Sequence, residues 1–292
     1  MGLFFSSDRF TRPGPGVRPD APRKKGVARL AEIMGRDMWN FFRAGFLAFL
    51  GCLPFIIGMF FAVETHALLF MLLAGIIGGL IAGPELSAMA DTVLRSLRDE
   101  PGYWWETYRR VWKRNARESL IPGMLTGLVL SMQIFTLFHM SVISAGIVTW
   151  VLLILSFVVT LGLESYIWPQ IALLDLPLYG ILKNSLLLFL GYLPRSLGAI
   201  AIKAVYWGAI LLFFPLTTII LPFTNFWLPM LPALLCIYQP LNKCFTIEST
   251  INKMREDELN AALAKDNEPL PENPTEKAEE STEASSDDSS SD

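Results

Sequence analysis

Read by itself, the chain is expected to fold as an all-α, polytopic bundle of about six membrane-crossing helices, with further helices lying at the cytoplasmic interface. Three observations predict it. Of 292 residues, 52% are apolar and only 17% charged, against about 25% charged in an ordinary soluble domain. The mean hydropathy is +0.43 even though residues 1–38 and 255–292 hold most of the proline, serine and charge, so the middle is far more apolar than the average. Lys and Arg, finally, are absent from three of the short connections between the apolar runs and concentrated before the first run and after the second. A soluble enzyme of ordinary make-up and a disulfide-stapled secreted domain are both excluded. The three cysteines, Cys52, Cys236 and Cys244, are odd in number and lack metal-ligand spacing.

The elements follow in chain order. Residues 1–38 read as a polar, partly disordered segment, including Arg12-Pro13-Gly14-Pro15-Gly16, and residues 39–254 as the membrane domain. About 20 apolar residues rising 1.5 Å each cross a hydrocarbon core of roughly 30 Å. Runs of that kind lie at 44–63, 67–83, 119–138, 142–163, 197–222 and 226–245, the fifth interrupted only by Lys203. The run at 176–193 contains Lys183 and Asn184 and is read as a helix lying under the bundle, though a partial span also fits. Residues 255–292 carry 13 acidic and 3 basic side chains, a net of −10, and read as a disordered acidic tail.

Orientation comes from Lys and Arg placement. Residues 1–43 hold nine, and the connection after the second run holds seven: Arg95, Arg98, Arg109, Arg110, Lys113, Arg114 and Arg117. The connections near Glu64–His66, His139–Ser141 and Phe223–Asn225 hold none. Both termini are therefore expected in the cytoplasm, with three short outer turns. Prolines at Pro84, Pro169 and Pro240 are expected to end helices, since each removes a backbone donor.

Three features stand out as candidates for function. Gly75, Gly79 and Gly83 form a GxxxGxxxG ridge and Gly123 with Gly127 repeats the spacing, which lets backbones approach where lipid supplies no hydrophobic drive. Tight packing inside one bundle is the favoured reading; a dimer interface or a moving seam is the alternative. Past Pro84, Leu86, Met89, Val93, Leu94 and Leu97 recur at helical spacing, and after the Asp99-Glu100-Pro101-Gly102 turn Trp105, Tyr108 and Trp112 do so again, among Arg109, Arg110 and Lys113. Residues 86–118 are thus expected to lie at headgroup level on the membrane surface, with a partner-docking surface as the sharper reading. The interleaved acids Asp99, Glu100, Glu106 and Glu118 count against nucleic acid. Gln133 and Lys203 are the polar groups best placed to line a pathway, although Lys203 is near enough to the cytoplasmic edge to snorkel. Glu85, Glu164 and Asp175 are expected to pair with Lys183, Arg195 or Arg114.

Cys52-Leu53-Pro54-Phe55-Ile56-Ile57-Gly58, Gly83-Pro84-Glu85-Leu86-Ser87-Ala88, Arg98-Asp99-Glu100-Pro101-Gly102-Tyr103 with Trp112-Lys113-Arg114-Asn115, Lys183-Asn184-Ser185-Leu186 and Leu193-Pro194-Arg195-Ser196-Leu197 occur in an order that resembles the YesL-like family of bacterial integral membrane proteins, a domain of unknown function (624). The resemblance spans about residues 28–243. It implies a bacterial plasma-membrane protein encoded near carbohydrate uptake systems, and hence a sugar-transporter permease as partner. It supplies no catalytic residues. Nor does the sequence: His66 and His139, the only histidines, fall at outer turns, and Walker A, HExxH and GxSxG motifs do not occur. An enzyme is therefore not expected, and no cofactor or metal. An accessory or scaffold partner of a membrane system fits best, with a small-solute transporter as the alternative.

Overall fold

The computed structural model describes residues 23–100, 102–140 and 146–266, all α-helical or connecting, without strands. The chain divides into two units, residues 1–245 and 246–292.

The first unit is a bundle of long helices. Helix α1 (Gly26–Thr65) turns at His66, in the left-handed region, into α2 (Leu68–Leu73). A π-helical turn (Ala74–Gly78) joins α2 without a break to α3 (Gly79–Arg98). Helix α4 (Trp104–Phe138) and α5 (Ile147–Leu173) follow, then the short α6 (Leu178–Gly191) and α7 (Leu193–Leu212). A 3-10 turn (Leu216–Thr218) and α8 (Leu221–Thr224) lead to α9 (Trp227–Phe245). Six segments are long and apolar enough to cross a membrane: Gly26–Thr65, Leu68–Arg98, Trp104–Phe138, Ile147–Leu173, Leu193–Leu212 and Leu221–Phe245. Large apolar side chains such as Phe60, Leu69, Leu152, Leu187 and Val205 are exposed around the bundle, as a surface solvated by lipid requires. The chain is a multi-pass helical membrane protein.

Contacts fix which connections share an end. His66 Nδ1 and His139 Nε2 lie 2.6 Å apart, joining the turn after α1 to the end of α4. At the opposite end Arg29 and Arg36 of α1 reach Asp99, between α3 and α4, and Arg114 donates to the Ala172 carbonyl at 2.8 Å near the end of α5. That second end carries the Lys and Arg connections and is called the basic end below.

The structure corrects several expectations. Residues 86–118 do not form helices lying on the membrane surface. They are continuations of two spans: α3 runs through Pro84 to Arg98, and α4 runs unbroken from Trp104 into the third span. The apolar stripe of α3 is covered by protein rather than by headgroups, since Ala88, Met89, Ala90, Val93 and Leu94 are fully buried between α1, α4 and α5. Pro84, Pro169 and Pro240 all lie inside helices; each lost bond is one rung in a ladder held by neighbouring turns and packed helices. Residues 26–38, read as part of a polar N-terminal segment, belong to α1. The fifth span stops at Leu212, short of residue 222, where Phe213 and Phe214 turn into Pro215. Helix α6, about 21 Å long at 1.5 Å per residue, is too short to cross a roughly 30 Å core.

The second unit contains one described helix, α10 (Ile247–Asp266), whose first turn is closed by Ser249 Oγ donating to Thr246 O at 2.8 Å. Residues 247–266 form one helix that crosses the expected boundary at residue 254, so residues 255–266, read as part of a disordered tail, are helical. Arg12–Gly16, the Ser141 turn and the acidic tail beyond Asp266 lie outside the described residues.

Candidate functional site

At 1.5 Å per residue α1 is about 60 Å long and α4 about 52 Å, well beyond a roughly 30 Å hydrocarbon core. The surplus of α1, α3 and α4 gathers at the basic end as a three-helix extension. What holds it is the C-terminus of α3. The last carbonyls of a helix lack intrahelical donors, and three guanidiniums from the start of α1 and the residues just before it supply them: Arg36 to Ser96 O at 2.8 Å, Arg29 to Leu97 O at 3.1 Å and Arg23 to Arg98 O at 3.1 Å. Arg29 and Arg36 are seven residues apart, two turns on one face of α1.

The same arginines converge on Asp99, which ends α3 in a left-handed conformation. Arg29 Nη2 approaches Oδ2 to 2.6 Å and Arg23 Nε to 3.1 Å, and Arg36 Nη1 bonds Oδ1. Partial burial alone pushes the Asp99 carboxyl up, but hydrogen bonds from Arg36 and Arg29 outweigh it, and the group sits below the usual carboxylate range. Beside this hub, α1, α3 and the start of α4 enclose a cleft of about 280 Å³ whose walls include Arg36, Asn40, Thr92, Glu100, Trp104 and Tyr108. The indole N–H of Trp104, which lines the cleft, is buried without a hydrogen-bond partner, as is one nitrogen of Arg98 near the end of α3.

The aromatic and basic residues of α4 separate. Tyr108 is buried, and its hydroxyl donates to Glu85 Oε2 at 2.5 Å. Trp112 Nε1 donates to the other Glu85 oxygen at 2.9 Å. Glu85 is therefore held by two aromatic donors and not by an expected cation. Trp105, Arg109, Arg110 and Lys113 remain on the exposed face, with Tyr103 before them 86% exposed. Arg110 pairs with Glu106 at 3.0 Å, both largely in solvent, which adds little stability.

The glycine ridges meet each other inside the bundle. A Cβ at Gly79 would strike the Gly123 carbonyl, and one at Gly83 the Ser119 carbonyl; one at Gly75 would stand 2.8 Å from Leu128 Cα, and one at Gly127 2.8 Å from Gly79 Cα. The seam lies between α3 with its π-helical turn and α4, the most extensive helix contact in the chain. On its other side the π-helical turn comes comparably close to α1, where a Cβ at Gly78 would stand 2.6 Å from Phe55 Cα.

Gln133 and Lys203 are not brought together. Gln133 of α4 donates to Thr160 Oγ1 on α5 at 2.8 Å, leaving its own oxygen buried and unpartnered. Lys203 does not snorkel: it is 7% exposed and pairs with Glu164 of α5 at 3.8 Å. Glu164 thus takes neither Lys183, Arg195 nor Arg114. Sequence reading missed Asp99 as a hub and Glu164 as the partner of Lys203. An acidic residue at a predicted turn, directly after the basic end of a helix, was the available signal for Asp99. Nothing in linear spacing marks Glu164.

No protein-family model, no curated protein and no solved structure matches this chain.

Proposed function

We propose that this protein is an accessory or scaffold subunit of a membrane system, with both termini cytoplasmic, and that it docks its partner on the three-helix extension at the basic end. One observation carries the reading. The extension is braced internally by Arg23, Arg29 and Arg36 on α3 and Asp99, yet it leaves Tyr103, Trp105, Arg109, Arg110 and Lys113 on its surface. Aromatic and Arg anchors on a rigid support are the residue types that dominate binding energy at interfaces. A sugar-transporter permease is the partner class implied by the resemblance to YesL-like proteins. Capture from native membranes after mild crosslinking, followed by mass spectrometry, tests the reading. A permease enriched with the wild type and lost with Trp105→Ala/Arg109→Ala supports it, and partner-free protein overturns it.

A second reading, a small-solute transporter, is favoured by the ion pair Lys203–Glu164 inside two spans, because intramembrane charge is costly and usually functional. On that reading Lys203→Met and Gln133→Leu each abolish uptake by purified protein in vesicles.

A further inference from the structure

The ion pairs of the extension lie at or near the helix ends, whereas Lys203–Glu164 lies well inside two spans. Glu164 lies nine residues before the basic end of α5 and Lys203 ten residues into α7, about 13–15 Å along their helices. Their side chains are 17% and 9% exposed, and Nζ stands 3.8 Å from Oε2. The remaining Glu164 oxygen accepts from Trp168 Nε1 at 3.2 Å. That leaves two charges in an apolar setting at a separation well beyond the roughly 2.7–2.9 Å of a tight charge-assisted hydrogen bond.

As a clamp between α5 and α7 the arrangement is poor. A buried pair repays its desolvation only with close geometry and fully satisfied hydrogen bonds, and an apolar pair holds helices as well. The surroundings suit another role. Against the pair lies a cavity of about 10 Å³, bounded by Ser165, Trp168, Met230 and Ala233, at the lower limit for one water molecule. Helix α9 contributes only apolar residues to it.

We propose that Glu164 and Lys203, with the water-sized cavity beside them, form a membrane-buried proton-binding site. In the internal step the proton leaves Lys203 Nζ, the N–H electron pair remains on nitrogen, and an O–H bond forms at Glu164 Oε2. Two charges become none, and no electron is transferred. Exchange with water then loads or empties the site. The site can serve either an accessory subunit or a transporter, because its test reads the protonation of one carboxyl rather than partners or uptake.

The test is infrared difference spectroscopy on purified full-length protein in lipid, stepped from about pH 9 to about pH 6, a range between the reference values of lysine and carboxylate. A carboxylic-acid carbonyl band that grows as pH falls and is lost in Glu164→Gln/Lys203→Met supports the proposal. The double substitution removes both charges together, so neither is left buried alone. In parallel, a lipid-soluble carbodiimide, which reacts with the acid and not the carboxylate, should label Glu164 with the same pH dependence. If no Glu164 acid band appears at any pH in the wild type, while Lys203→Met shows one, the pair is a fixed ion pair and the proposal fails. If neither protein shows one, it fails as well.

Discussion

Asp99 illustrates how one carboxylate sets the geometry of the extension. Its left-handed backbone is a conformation that asparagine also adopts readily, so Asp99→Asn removes charge and keeps shape. Arg29, only 7% exposed at its side chain, then loses its closest acceptor. The expected loss is about 1.5–3 kcal/mol, typical of a hydrogen bond to a charged group, read as a lower melting temperature in detergent at neutral pH. Because the folded carboxyl lies below its unfolded value of about 3.9, its contribution is complete above that value and is lost as pH falls through the folded one. The gap between wild type and Asp99→Asn should therefore close below about pH 4. Equal gaps at both pH values would remove the carboxylate from the account. Gln133 behaves differently: its oxygen is buried without a partner, so Gln133→Leu should change stability by no more than about 1 kcal/mol, whatever it does to uptake. The spacing of Arg29 and Arg36 could be read from the sequence as one helix face. Their target could not, since Asp99 is 70 residues from Arg29 and tertiary contact alone joins them. The same holds for Lys203 and Glu164.

Among the helices, the seam between α3 and α4 has the least tolerance. Gly79 and Gly123 each meet the other's carbonyl, so the backbones and not the side chains set the distance. Gly79→Val should cost about 3 kcal/mol, the upper range for overpacking, and Gly79→Ala a substantial part of it. Gly208 on α7 is the contrast, with nothing within 4 Å of where a methyl group would stand; Gly208→Ala should be neutral or stabilise by up to about 1 kcal/mol. Thermal unfolding of the three variants in one detergent checks both signs, and a tolerated Gly79→Val would contradict the seam. The small-xxx-small spacing was visible in the sequence because it repeats every four residues on both helices. The extension was not. An apolar stripe such as Leu86–Met89–Val93–Leu97 shows which face is buried but not whether lipid headgroups or a second helix covers it, and Pro84 offered a plausible but mistaken place to end the span.

At the scale of the whole molecule, the count of spans and their alternation were the most legible properties. Each rests on about 20 residues of composition rather than on any one contact. Contacts such as His66–His139 at one end and Arg29–Asp99 at the other establish which connections lie together, and the Lys and Arg bias predicts that the basic end faces the cytoplasm. That orientation is open to a direct measurement. Glu64 is exposed at the histidine end and Arg110 at the basic end, so each accepts a cysteine without disturbing the core. With the accessible Cys236 and Cys244 replaced by serine, a membrane-impermeant maleimide applied to intact cells should label Glu64→Cys and spare Arg110→Cys until the membrane is opened. Ser96 would be a poor probe, because burial alone protects it. The reverse pattern would place the extension and its aromatic surface outside the cell. A cytoplasmic docking partner on that surface would then be excluded.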